Sequence, residues 1–188
     1  MKNKISHQKY CDKCGVWLIL FFVFSGMANS SLAMDKRLNK IQLKLEHKYA
    51  DVSHVKAGQF SKMDLEKLVI FDVREDGEFA VSHIHRATQL DPNLQPEEFL
   101  SKYKDKIKGK TVVFYCSVGR RSSAMASRLQ ASLAEAGAAE SFNLTGGLFN
   151  WRNENRPLMS DGQETDFIHP YNFYWGRLIH DKNAIRYK

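Results

Sequence analysis

A cysteine followed by a glycine and two arginines is the pattern in this sequence with the clearest chemical meaning. Cys116 begins the run Cys-Ser-Val-Gly-Arg-Arg at residues 116–121. An apolar, β-branched run at 111–115 precedes it and predicts a buried strand, whereas the pattern at 122–136 predicts a helix. The cysteine therefore falls where a strand ends and a helix begins.

A strand-to-helix junction suits a nucleophilic cysteine. Backbone N–H groups at the start of a helix have no partner within the helix, so they can face an anion held on the cysteine sulfur. Arg120 and Arg121 add positive charge, and both features stabilise a negatively charged sulfur. An inert buried cysteine is the alternative. We favour the reactive interpretation because glycine and two arginines flank Cys116.

The first 33 residues have the order of a secretory signal peptide. Four lysines lead into an apolar run at 16–24, and small residues end the segment at Ala33. This order predicts cleavage after Ala33 and export to the periplasm. The apolar run is short for a membrane-spanning helix, which needs about 20 residues. An uncleaved anchor is the alternative; after cleavage we expect no stable association with the membrane.

Cysteine usage supports a chemical role for Cys116. Cys11 and Cys14 form a C-x-x-C pair, but it lies inside the predicted signal peptide and no second pair completes a zinc site. After cleavage Cys116 is the only cysteine, so the mature chain can form no internal disulfide. A lone thiol kept in an oxidising compartment is easier to explain by reactivity than by packing.

The charge and the histidines exclude several functions. Cleavage removes four lysines and Asp12, which lowers the formal net charge from +7 to +4. Such a mild surplus suits small anions, and no basic stripe interleaved with aromatics indicates nucleic-acid binding. His85, His169 and His180 lack the spacing of metal ligands, so we predict no metal and no other cofactor.

Strands and helices alternate along the rest of the chain. Apolar runs predict strands at 52–55, 68–71, 87–90, 111–115 and 138–144. Helical patterns occupy a lead-in segment at 34–51 and residues 60–67, 78–81, 96–106, 122–136 and the region of Trp151. Alternation of this kind predicts an α/β fold with a mainly parallel sheet and helices on both faces. Because ligands lie beyond the carboxyl ends of such strands, Asp72 and Cys116 can share one crevice.

Four motifs follow one another between residues 52 and 158. They are Asp72-Val73-Arg74-Glu75 with Glu78-Phe79; Ser82-His83-Ile84 with Ala87; Tyr115-Cys116-Ser117-Val118-Gly119-Arg120-Arg121-Ser122; and Gly146-Gly147 with Trp151 and Arg156-Pro157. In type, order and spacing they resemble the single-domain rhodaneses, the thiosulfate sulfurtransferase family, and in particular its exported members. The resemblance implies one domain at 52–158 built on a central sheet of about five parallel strands.

The same resemblance assigns roles to the residues of the motifs. Cys116 would carry sulfur as a persulfide, taken from thiosulfate or a similar small anionic donor and passed to a thiol, to cyanide or to a protein acceptor. The persulfide cradle would consist of Ser117, Val118, Gly119, Arg120 and Arg121. Asp72 and Arg74 are expected to support neighbouring loops rather than to touch substrate. The alternative function is a persulfide carrier or partner-binding module with little thiosulfate turnover.

Loop length distinguishes sulfur transfer from phosphate chemistry. Related phosphatases have an arginine six positions after the cysteine, where this chain has Ser122, and Arg121 closes a shorter loop here. The tighter loop suits one terminal sulfur atom better than a phosphoryl group. The family often has arginine where this chain has Ser117, so we expect Arg120 or Arg121 to hold the anionic donor, with at most one of them pointing inward.

An aromatic-rich segment at 159–188 follows the family domain. Its aromatic residues include Phe167, Tyr171, Phe173, Tyr174 and Trp175. Aromatic residues at this density are seldom left in water. We expect the segment to pack back over the sheet, and contact with a partner or a membrane surface is the alternative.

Overall fold

The computed structural model describes residues 34–188. The predicted signal peptide at 1–33, with Cys11 and Cys14, lies outside the described residues. Over residues 34–188, no helix is long and apolar enough to cross a membrane.

A five-stranded parallel sheet forms the centre of the fold. Its strands are β1 His54–Val55, β2 Leu68–Asp72, β3 Thr88–Gln89, β4 Thr111–Tyr115 and β5 Glu140–Leu144. They lie in the order β1-β5-β4-β2-β3, and every pairing is parallel. The predicted α/β fold with a parallel sheet is therefore confirmed. Strand β4, which leads to the cysteine, is the central strand.

The side chains of β4 divide the core into two layers, because successive residues of a strand point to opposite faces. Val112 and Phe114 pack in one cluster, and Val113 and Tyr115 pack in the other. All four residues are fully buried. A strand buried on both faces explains the continuous apolar run in the sequence.

Helices pack on both faces of the sheet. They are α1 Lys36–Lys48, α2 Ala57–Phe60, α3 Asp76–Val81, α4 Pro96–Ile107, α5 Arg120–Arg128, α6 Gln130–Glu135, α7 Gly147–Asn153 and α8 Phe173–Gly176. Helix α1 buries Leu38, Gln42 and Leu45, which share one face of the helix. The Gln42 side-chain oxygen accepts a hydrogen bond of 3.2 Å from the Gly146 N–H, which ties α1 to the turn before α7.

Two predicted helices differ from those observed. The helix predicted at 122–136 is divided into α5 and α6 at the buried residue Leu129, whose ψ of 3° departs from the helical value. The helix predicted at 60–67 is replaced by α2 and a 3₁₀ turn at Leu65–Lys67. Asp64 accepts a hydrogen bond from the Glu66 N–H at 3.0 Å, a local bond that competes with helix continuation.

The segment at 159–188 packs onto the domain mainly through aliphatic residues, and of the aromatics expected there Trp175 packs against the core. Strands β6 Leu158–Ser160 and β7 Gln163–Thr165 form a hairpin, and the residues after it contribute four aliphatic side chains to the core: Ile168, Leu178, Ile179 and Ala184. Phe173 and Tyr174 are instead 78% and 72% exposed. The aliphatic residues therefore anchor the segment and leave these two aromatics in solvent.

Candidate active site

Strand β4 carries Cys116 to the carboxyl end of the sheet, where the side chain is buried. Helix α5 begins at Arg120, directly after Gly119, whose φ of +88° is readily available to glycine alone. Between residues 34 and 188, no protein group accepts a hydrogen bond from the five backbone N–H groups at 117–121. The loop thus offers five consecutive donors beside the thiol.

Helix α7 fixes the direction of the first two of these donors. The carbonyl of Cys116 accepts a hydrogen bond of 2.8 Å from Leu148 N–H, and that of Ser117 accepts one of 3.0 Å from Phe149 N–H. In a planar trans peptide the carbonyl and the next N–H point in opposite directions. The N–H groups of Ser117 and Val118 therefore point away from α7.

Gly147 permits this close packing of α7 against the loop. A β-carbon at this position would lie 2.4 Å from the Cys116 carbonyl oxygen and 2.8 Å from the Gly119 nitrogen. The φ of +59° is also unfavourable for any residue with a side chain. The second glycine of the Gly146-Gly147 motif is thus a requirement of the cysteine loop.

Arg121 forms a bidentate ion pair with a buried glutamate. Its guanidinium donates hydrogen bonds of 2.6 and 2.8 Å to the two carboxylate oxygens of Glu78 on α3. The Ser117 hydroxyl donates to the same carboxylate at 2.8 Å, and Arg121 also donates to that hydroxyl at 3.1 Å. The three side chains connect α3, the cysteine loop and the first turn of α5.

The ion pair shifts the pKa values of Glu78 and Arg121 in the directions that favour their charged forms. Burial by itself would raise the pKa of Glu78, but the hydrogen bond and charge of Arg121, together with the Ser117 hydroxyl, lower it overall. Burial likewise opposes the charge on Arg121, but Glu78 and the neighbouring Cys116 side chain raise the pKa of Arg121. The pair is therefore charged at neutral pH.

Asp72 and Arg74 form a second ion pair that is fully buried. Arg74 Nη2 lies 2.6 Å from Asp72 Oδ2 and donates a further hydrogen bond of 2.6 Å to the Ser82 carbonyl. Tyr115 lies beside them: its hydroxyl accepts a hydrogen bond from Ile84 N–H at 3.0 Å, and burial raises its pKa well above the usual value. The pair connects the end of β2 to the following loop.

A pocket of about 360 Å³ opens above the cysteine. Its floor is formed by Cys116 and the adjoining loop. Lys48 and Tyr49, at the end of α1, and Tyr171 and Trp175, in the C-terminal segment, form part of its wall. Segments that precede and follow the α/β domain in the sequence therefore complete the candidate site.

The structure brings most of the predicted site residues together. The residues that border the pocket are Cys116, Ser117, Val118, Arg120 and Arg121. Gly119 turns the loop without lining the pocket, and Asp72 and Arg74 also lie outside its lining. Of the two arginines, Arg120 is exposed, whereas Arg121 is paired with a carboxylate.

Sequence reasoning missed the ion-pair partner and the aromatic wall. Glu78 belongs to one of the four motifs, but it lies 43 positions from Arg121 and no spacing rule connects them. Tyr49, Tyr171 and Trp175 reach the pocket only through tertiary packing. Over residues 34–188, no group of three or more histidine, cysteine, aspartate or glutamate side chains has the arrangement of a metal site.

Comparison with protein families gives a match over the central part of the chain. The sequence model of the rhodanese-like domain family matches residues 56–154, more than half of the chain. A comparison with the curated proteins finds no match.

Solved structures resemble the fold at low sequence identity. A rhodanese-related protein from Thermoplasma volcanium is 21% identical with a TM-score of 0.45, and the match covers 57% of this chain and 97% of that one. A rhodanese-like domain protein from Staphylococcus aureus is 23% identical with a TM-score of 0.43, covering 59% and 95%. A thiosulfate sulfurtransferase from Pseudomonas aeruginosa is 19% identical with a TM-score of 0.49, covering 67% and 23%.

Proposed function

We propose that this chain, which belongs to the rhodanese-like domain family, is a sulfurtransferase that moves sulfane sulfur through a persulfide on Cys116. The donor is thiosulfate or a similar anion, and the acceptor is a thiol, including one on another protein, or cyanide. The observation that carries the proposal is the row of five backbone donors at 117–121 beside the cysteine, none of which is bonded to another group within residues 34–188. A sulfur anion on Cys116 is the ligand that such donors would stabilise.

The first step transfers sulfur to the enzyme. The Cys116 thiolate attacks the outer sulfur of the donor, a new S–S bond forms, and the bond between the two donor sulfurs breaks. Sulfite leaves with the electron pair of that bond, and the cysteine retains a persulfide anion. Each aligned backbone donor is worth about 2–4 kcal/mol by analogy with oxyanion holes.

The second step regenerates the enzyme. The acceptor, as a thiolate or cyanide, attacks the outer sulfur of the persulfide and leaves with it, and the Cys116 thiolate carries away the electrons of the broken S–S bond. The enzyme is thus covalently modified between two substrates, which predicts ping-pong kinetics.

The two arginines have different roles in this scheme. Arg121 is neutralised by Glu78 and holds the loop in shape through the hydrogen bonds to Ser117 and Glu78. Arg120 is exposed at the edge of the pocket, so its charge is available to attract an anionic donor.

The test is steady-state thiocyanate formation from thiosulfate and cyanide. The wild-type protein should show ping-pong turnover, Cys116→Ser should show none, and Arg120→Ala should raise the KM for thiosulfate several-fold. Lys102→Ala removes an exposed charge on α4, outside the pocket, and is expected to leave the kinetics unchanged. A folded wild-type protein with a reduced thiol but no turnover would contradict the proposal and favour a persulfide carrier or partner-binding module.

We also propose that the protein is exported to the periplasm, because residues 1–33 have the order of a signal peptide. N-terminal sequencing of the protein from a periplasmic fraction should begin at Met34. Recovery of uncleaved chain in the cytoplasm would contradict export.

A further inference from the structure

We infer that helix α1 and the turn around α8 form a surface that binds anionic lipid bilayers. This lysine–aromatic surface consists of Lys36, Lys40, Lys44 and Lys48 of α1 together with Phe173, Tyr174 and Arg177. It lies outside residues 56–154, which match the family. The inference does not depend on sulfur transfer. It rests on the distribution of charge, on exposed aromatic rings and on the contacts that join the two elements.

Net charge is unevenly distributed along the chain. Residues 34–50 contain five basic and two acidic residues, and residues 167–188 contain four basic and one acidic residue, so each segment has a formal net charge of +3. Residues 51–166 contain fifteen basic and seventeen acidic residues, a net charge of −2. The two segments that flank the domain thus carry the whole positive surplus, which attracts an anionic partner to them.

Four lysines form one row along α1. Lys36, Lys40, Lys44 and Lys48 follow one another at intervals of four residues, so they extend over about 18 Å of the helix away from its buried face. All four are exposed, and within residues 34–188 no carboxylate forms an ion pair with any of them. Like charges at this spacing destabilise a helix. An anionic surface would relieve that repulsion.

Exposed aromatic rings lie beside a further positive charge in α8. Phe173 and Tyr174 are 78% and 72% exposed. The Arg177 guanidinium, which is also exposed, lies 5.8 Å from the centre of the first ring and 4.2 Å from that of the second. Aromatic rings next to a cation are typical of the membrane–water interface, where the rings enter the headgroup region and the charge meets lipid phosphate.

Contacts between α1 and the C-terminal segment bring the lysines and the rings together. The Arg37 side chain, at the start of α1, donates a hydrogen bond of 2.9 Å to the Arg177 carbonyl. Leu38 of α1 and Leu178 of the segment belong to the same buried cluster. The two elements are therefore fixed next to each other, and their cations and rings can contact one partner at the same time.

The residue types favour a bilayer over a protein partner. Lysine is depleted in protein–protein interfaces, where arginine and aromatic residues are enriched. In contrast, lysines attract anionic headgroups as flexible point charges and need no fixed geometry. We therefore expect an attachment that is reversible and weakens with salt, unlike the stable association of an uncleaved anchor.

The test measures cosedimentation with vesicles of phosphatidylcholine alone and with vesicles of equal parts phosphatidylglycerol and phosphatidylcholine. The chain beginning at Met34 is used, because all described elements of the fold lie within residues 34–188 and the apolar run at 16–24 could bind lipid by itself. We expect binding to the mixed vesicles to be at least about tenfold tighter, since each basic residue near an anionic surface contributes about fivefold. High salt should abolish this preference.

The lysine row is tested with paired substitutions. Lys40→Gln combined with Lys44→Gln should weaken binding to the mixed vesicles about tenfold or more. Lys62→Gln combined with Lys67→Gln is the matched control, because it removes the same charge from exposed positions outside the surface. The control should change binding by less than about twofold, since salt screens distant charges.

The rings are tested in the same way. Phe173→Ser should weaken binding to the mixed vesicles severalfold, because it removes a ring that enters the headgroup region. Leu65→Ser alters another exposed apolar residue, 47% exposed and located before β2, and should leave binding unchanged.

Equal binding of the unaltered chain to the two kinds of vesicle would overturn the inference, as would equal losses in the two lysine pairs. Binding of soluble polyglutamate without binding of either vesicle would identify an acidic protein partner instead and would also overturn it. Cys116→Ser should bind the vesicles as tightly as the unaltered chain, so the outcome is independent of the sulfurtransferase proposal.

Discussion

Arg120 and Arg121 are neighbours in sequence with different environments. Arg121 donates hydrogen bonds to both carboxylate oxygens of Glu78 and to the Ser117 hydroxyl, whereas Arg120 is exposed. The small hydroxyl of Ser117 is the third member of the Glu78–Arg121 network, which stabilises the loop.

Glu78→Gln should weaken this network and lower the free energy of unfolding at pH 7 by about 2 kcal/mol. Breaking a buried ion pair costs about 3–5 kcal/mol, and we expect less because Arg121 is one quarter exposed and glutamine still accepts one hydrogen bond. Urea denaturation measures the change. Glu66→Gln removes an exposed ion pair with Arg86 and should alter stability by less than about 0.5 kcal/mol.

The stabilisation by Glu78 should also depend on pH. Because the folded-state pKa of Glu78 lies below the unfolded value of 4.5, its contribution is fully present above about pH 4.5 and is lost as the pH falls toward the folded pKa. The stability difference between wild type and Glu78→Gln should therefore shrink below pH 4.5. A difference that stayed constant from pH 7 to pH 3 would contradict this role.

The cysteine loop depends on the helix beneath it. Two N–H groups of α7 bind the carbonyls of Cys116 and Ser117, and Gly147 allows the backbones to approach. The loop shape is thus imposed from α7 on one side and from Glu78 of α3 on the other. Neither contact is local in sequence.

Gly147→Ala should destabilise the protein by about 3 kcal/mol or more, because the added methyl group would overlap the Cys116 carbonyl and the backbone would be strained. Gly109→Ala provides a matched control: its φ is +66°, and no atom lies within 4 Å of the added carbon. It should cost only about 1 kcal/mol. Thermal denaturation would measure the stability of both variants, and a thiocyanate assay would measure their activity. Equal losses of stability in the two variants would contradict close packing at Gly147.

The α/β domain, α1 and the C-terminal segment share one core. Leu38 of α1 and Ile168, Leu178 and Ile179 of the segment belong to the same buried cluster as Val113 of β4. The segment also pairs with itself: Ile168 N–H donates to the Ala184 carbonyl at 2.9 Å. The folded unit is therefore larger than the residues that match the family.

Ile179→Ala should lower the free energy of unfolding by about 2–4 kcal/mol, as expected for a fully buried isoleucine, although the residue lies outside the family match. Urea unfolding should show a single transition shifted to lower denaturant. Tyr174→Ala, in the same segment but 72% exposed, should change stability by less than about 0.5 kcal/mol. A segment that unfolded in a separate early transition would contradict the shared core.

The sequence predicted the features that depend on local pattern. The apolar run of β4, the loop after Cys116 and the start of α5 are encoded by neighbouring residues, and all three occur close to their predicted bounds. The alternation of strands and helices then predicted a parallel sheet, since the rules for connections between parallel strands allow few topologies.

The features that were missed depend on contacts between distant residues. The Glu78–Arg121 pair joins two helices across 43 positions, and hydrophobicity alone did not reveal which apolar residues of the C-terminal segment face the core. There the aliphatic Ile168 and Ile179 are buried, while the ring of Phe173 is exposed. Only the three-dimensional packing distinguishes a ring that lines the pocket, such as Tyr171, from one that faces solvent.

The most direct measurement of the central claim is the intact mass of the reduced protein after brief incubation with thiosulfate. We predict a gain of one sulfur atom located on the peptide containing Cys116, its loss on addition of cyanide with stoichiometric thiocyanate, and no gain in Cys116→Ser. An unchanged mass of the folded wild-type protein, or a sulfur atom that cyanide does not remove, would contradict a persulfide on Cys116 as the carrier of sulfur.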